Sequence, residues 1–109
     1  MQHIGHLTCS MIIAASVLAS GHVAAQEAGQ PEKGLALAQQ DCAQCHAIDK
    51  RTLRSPNPAA PRFEAVANTP GMTAITLTVA LRSSHRMMPN LVLDADELRN
   101  IAAYILSLK

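Results

Sequence analysis

Phe63 and Tyr104 are the only aromatic residues in this chain of 109, and it has no tryptophan. That shortage constrains its folding more than any other feature. Aromatic side chains bury about 150–250 Å² each and dominate small cores. A short domain without them usually recruits disulfides, a metal or another non-protein group. The chain has three cysteines. Cys9 precedes an apolar run near the start, which leaves Cys42 and Cys45. A disulfide between residues so close in sequence constrains the unfolded chain very little. A bulky apolar group from outside the chain is the expected filling.

The apolar run, MIIAASVLA from Met11 to Ala19, is far shorter than the roughly 20 residues needed to span a bilayer. Small residues follow and end at Val23-Ala24-Ala25, which fits a signal-peptidase site. Residues 1–25 therefore read as a secretory signal peptide that takes Cys9 away with it. The alternative is a retained anchor, because this segment has no Lys or Arg and only His3, His6 and the terminal amine supply charge. Residues 26–30 read as a polar, flexible start, and residues 31–109 as one domain. Cleavage would place the domain in the periplasm with no stable membrane span.

The net charge is +1, so nothing points to nucleic acid. Its distribution is uneven. Lys50, Arg51, Arg54, Arg62, Arg82 and Arg86 lie between Ala47 and Pro89 against only Asp49 and Glu64. Glu27, Glu32, Asp41, Asp94, Asp96 and Glu97 lie outside that span. Any one of these charges alone is ordinary solvated surface.

The spacing predicts helices. Pro31 suits a first helical turn, and Leu35, Ala38 and Cys42 follow at helical intervals. Gly34 lies beside them, a position that lets another backbone come close. Pro56, Pro58 and Pro61 make a loop. Phe63 to Asn68 reads as a short helix, ended by Thr69-Pro70-Gly71. Ile75, Leu77, Val79 and Leu81 alternate with Thr76, Thr78 and Ala80, which is a strand pattern. No second strand exists to pair with them, and a lone strand is not stable, so Met72 to Arg82 reads as helix. In the last segment Asp94 caps a helix with Glu97 three residues on, and Leu93 and Leu98 stand at staple positions. Leu98, Ile101, Ala102, Ile105 and Leu108 form its apolar face, with Tyr104 beside it. The expected fold class is all-α, with three to four helices.

The chemistry is concentrated in DCAQCHAID, residues 41–49. On a helical turn Cys42, Cys45 and His46 share one face. Cys-x-x-Cys-His is the attachment pattern for c-type haem. Two thiols add to the two vinyl groups, and the adjacent imidazole binds the iron from the same side. A structural zinc site needs four ligands and finds no second cysteine pair. A redox dithiol belongs near a βαβ unit, which is absent. A disulfide is possible outside the cytoplasm, but it leaves the thin core unexplained. A ligand for the other face of the iron would come from SSHRMMPN, residues 83–90, where His85, Met87 and Met88 are the candidates.

Taken in order, CAQCH, Gly34 ahead of Cys42, Met88-Pro89 and the terminal AAYILSL resemble the class I cytochromes c, above all the short bacterial mono-haem proteins. The resemblance covers Pro31 to Lys109. It implies a small cytochrome c fold wrapped around one haem c per chain, held covalently through Cys42 and Cys45. It implies His46 and Met88 as iron ligands, since the family's distal methionine directly precedes a proline. A residue before proline is extended, which suits a side chain reaching across a loop. It also implies that the first and last helices cross at Gly34, and that a carbonyl of the Pro-rich loop accepts from His46; Pro61 in AAPRF looks like that residue, with Pro56 and Pro58 as competitors. The chain departs from many relatives in lacking a mid-chain Trp or Tyr to hold a haem propionate. Arg62, Arg82, Arg86 and Asn90 are the replacements available.

With both iron positions filled and no acid–base cluster elsewhere, the implied role is electron carriage, not catalysis. The implied partners are oxidases, dehydrogenases or other cytochromes, approached through the basic stretch. Two alternatives differ in kind. One is a haem c subunit of a periplasmic dehydrogenase complex. The other is a haem sensor or enzyme with an open distal site.

Overall fold

The computed structural model describes residues 28–83 and 87–109. The signal-peptide reading and the candidates His85 and Arg86 lie outside them. Among the described residues there are four α-helices and no strand: α1 (Pro31–Leu37), α2 (Phe63–Ala67), α3 (Ala74–Arg82) and α4 (Ala95–Leu106). The all-α expectation is met.

Pro31 occupies the first turn of α1, where its missing N–H costs nothing. The helix does not run on uniformly to Cys42. From Ala38 to Cys42 it widens into a π-helical turn, with the Ala43 N–H reaching back five residues to the Ala38 carbonyl at 2.9 Å. Such widenings often mark functional positions.

α4 is the element against which α1, α2 and α3 all pack. Its start is the expected one. Asp94 Oδ1 accepts from the Glu97 N–H at 2.8 Å, and the Asp94 N–H donates to Glu97 Oε2 at 2.9 Å. The crossing with α1 is close. A Cβ placed on Gly34 would lie 2.1 Å from the Asn100 carbonyl oxygen and 2.6 Å from Tyr104 Cβ. Gly29 is in the same position, 2.0 Å from the Arg99 carbonyl oxygen. The Gln30 N–H donates to Asn100 Oδ1 at 2.8 Å. The end of the segment expected to be a flexible start is thus docked on α4, because its glycine permits backbone contact.

α3 begins two residues later than expected, with Thr73 as its cap accepting from the Thr76 N–H. Its strand-like alternation has a helical explanation. Successive residues turn by about 100°, so Leu77 and Leu81 share one face while Ile75 and Val79 share the opposite one. Leu77 is buried and Leu81 packs on the core, whereas Ile75 and Val79 are 78% and 61% exposed.

The core is thin, as the composition demands. Ile101 is the only large side chain fully buried among the described residues. Around it lie Ala38, Cys42, Phe63, Ala67, Leu77, Ala102, Tyr104, Ile105 and Leu108. Four of these, Cys42, Phe63, Leu77 and Ile105, also line an open cleft. The core is therefore unfinished on that side.

Candidate functional site

The cleft has a volume of about 410 Å³, within the roughly 300–1,000 Å³ typical of small-molecule sites. One wall comes from the end of the π-turn. The N–H groups of Cys45 and His46 both donate to the Cys42 carbonyl, at 3.1 and 2.9 Å. That single helical turn brings Cys42, Cys45 and His46 to the cleft together. Both cysteines are free thiols. Burial, with a smaller contribution from the Asp41 charge, pushes the Cys42 thiol up to about 11.

The loop after His46 folds back on this turn. Ser55 Oγ accepts from the Ala47 N–H at 3.0 Å, the Asn57 N–H donates to the Cys45 carbonyl at 3.1 Å, and the Phe63 N–H donates to the Ala47 carbonyl at 2.9 Å. These bonds carry the Pro61 carbonyl to the imidazole. His46 Nδ1–H donates to it at 2.7 Å. A carbonyl oxygen only accepts, so Nδ1 holds a proton, and in the neutral ring Nε2 is then the nitrogen with the lone pair. The Phe63 ring lies against the imidazole as well, with centroids 5.2 Å apart and planes tilted by 45°.

The lining also takes in Met87, Met88, Pro89 and Leu91, with Leu77, Ala80 and Leu81 from α3. Met88 is half-buried, while Met87 is 79% exposed. The lining is largely apolar, and Asp41 is its one acidic residue. None of Lys50, Arg51 and Arg54 lines it. Arg62 pairs with Glu64 at 2.5 Å and donates to the Thr52 carbonyl. Arg82 and Asn90 line a smaller adjoining pocket of about 200 Å³ that also touches Met88.

The structure thus gathers Cys42, Cys45, His46, Pro61 and Met88 around one cavity. Sequence reasoning missed Phe63 and the α3 wall as parts of it. The signal for Phe63 was its place two residues after Pro61. For α3 it was the pair Leu77 and Leu81, hidden inside an apparent strand pattern. The donor set on this cavity fits a c-type haem: two thiols, an imidazole and a thioether on a largely apolar lining.

The chain belongs to the c-type cytochromes. The family model described as cytochrome c oxidase, cbb3-type, subunit III matches residues 29–105. Cytochrome c-552 of Bradyrhizobium diazoefficiens is 32% identical over 105 residues, which cover 95% of this chain and 96% of that protein. No solved structure matches significantly. Membership brings haem-based electron transfer and redox partners with it in general terms. Among the described residues no helix is long and apolar enough to cross a membrane.

Proposed function

We propose that the chain is a periplasmic electron carrier and not an enzyme. It holds one haem c covalently through Cys42 and Cys45, with His46 and Met88 as axial ligands. The observation that carries this reading is the 2.7 Å bond from His46 Nδ1–H to the Pro61 carbonyl. It fixes the tautomer that leaves Nε2 free to ligate and raises its basicity. The group, when bound, supplies a one-electron iron couple. The chain supplies the rest. Phe63 and Pro61 hold the imidazole, the apolar walls exclude water, and Met88 fills the distal position and raises the potential. With His46 and Met88 both holding the iron, the chain would offer no substrate site at the metal.

Export by cleavage after Ala25 completes the reading. The cations Lys50, Arg51 and Arg54 stand on the loop between His46 and Pro61, off the cleft itself. They steer an acidic partner from beside the opening, and salt screens that attraction. Transfer rates that hold steady as ionic strength rises would remove this part.

The decisive test is the optical spectrum of the periplasmic protein, oxidised and reduced, beside Met88→Ala. A weak far-red sulfur-to-iron band in the ferric wild type, lost in the variant, is the expected result. Haem without that band in either protein would move the open-site reading to the front. Absence of haem would make residues 41–49 a thiol site.

One observation favours a second reading, a subunit held in a larger redox complex. Ile75 and Val79 leave an apolar strip on the outer face of α3, and the matching family model is described as an oxidase subunit. Size-exclusion of native extracts separates the two, since a free carrier elutes at its own small mass.

A further inference from the structure

Met87 and Met88 both stand on the cleft lining but differ in burial. Met88 is half-buried, while Met87 is 79% exposed. Met87 also has φ +64°, the only positive value outside glycine among the described residues. A Cβ makes this region unfavourable, and branching at Cβ makes it worse. The exposed side chain gains little burial that would offset the strain. Such a residue persists where the surrounding structure dictates the backbone. Pro89, on the other side, disfavours the helical region for Met88 and favours an extended one.

We propose that Met87 is a positioning residue. Its left-handed backbone reverses the chain so that the next side chain, Met88, enters the cleft, and its own thioether takes no part. Pro89 fixes the exit from Met88 and Met87 fixes the entry. The proposal rests on the reading of Met88 as the distal ligand.

The test uses the haem-loaded protein with Met87→Gly, Met87→Asn, Met87→Ala and Met87→Val, and Met88→Ala as the control. The readouts are the far-red sulfur-to-iron band, the pH at which that band is lost, and the reduction potential. Glycine and asparagine accept positive φ, so both keep the band, and glycine loses it at a higher pH than wild type. Alanine behaves as wild type, because it keeps the Cβ and removes only the thioether. Valine shifts the balance between ligated and unligated Met88 by roughly tenfold toward loss and lowers the potential. If valine fails to load haem, the order of glycine, alanine and wild type still decides. An alanine variant that loses the band, or a valine variant equal to wild type, overturns the proposal. A wild type that lacks the band and matches Met88→Ala overturns the ligand reading first, and this inference falls with it.

Discussion

Cys42 and Cys45 differ in a way that their shared motif conceals. Cys42 is buried in the core cluster, and burial before the Asp41 charge raises its pKa from 9.0 to about 11. Only the neutral thiol suits that place, so its contribution to the stability of the haem-free fold is complete below pH 9. It is lost as pH climbs toward 11. Asp41→Asn is expected to lower the Cys42 pKa only in part, because desolvation is the larger cause. Mass-mapped iodoacetamide labelling of the haem-free chain against pH reads this directly. Phe63 makes a second residue-scale case. It is 6% exposed, belongs to the core, and lies on the His46 ring. Phe63→Ala is expected to cost about 3–5 kcal/mol in denaturant unfolding and to shift the reduction potential. A Phe63→Leu variant should recover most of the stability but not the potential. That Cys42, Cys45 and His46 stand together on one cleft was legible, because their spacing puts them on one helical face. Phe63 was not, because its role depends on a loop that returns to Ala47 through tertiary bonds.

The crossing of α1 and α4 is set by glycines. Gly34→Ala forces a Cβ within 2.1 Å of the Asn100 carbonyl oxygen, against backbone that has no room to yield. The expected cost is about 1–3 kcal/mol or more, and each kcal/mol lowers Tm by roughly 4–8 °C in a domain of this size. Gly29→Ala should behave alike, and thermal melts of both variants check it. Asp94→Ala removes one half of the capping box and should cost about 1 kcal/mol. The last helix was readable end to end, since its cap and its apolar face are local features. α3 was ambiguous for a physical reason. An alternating pattern laid on a helix sends half of its apolar residues to each side, so periodicity alone could not tell which of Ile75, Leu77, Val79 and Leu81 would be inside. The π-turn had no local signature at all, and the docking of Gly29 showed only in the partner helix.

Among the described residues, the core and the cleft share a wall. Cys42, Phe63, Leu77 and Ile105 belong both to the interior and to the cleft wall, so the shortage of aromatics in the sequence reappears as a missing surface in the fold. A chain unable to attach haem, Cys42→Ala/Cys45→Ala, is expected to melt well below the loaded protein. It should also bind a hydrophobic dye at the exposed wall. Calorimetry and dye fluorescence measure both, and equal melting temperatures would show that the domain does not depend on its guest. The π-turn from Ala38 to Cys42 bears on this arrangement through chain length. Gln39 and Gln40 are exposed there and their side chains are free to vary. Losing either residue is a different matter. A turn that kept its width after such a loss would swing everything beyond it by about 100°, aiming the two sulfurs and the imidazole away from the opening, whereas a turn that tightened to an ordinary helix would absorb the loss. Within the turn the exposed glutamines are free in identity, while Ala38 and Cys42, buried in the same five residues, are not.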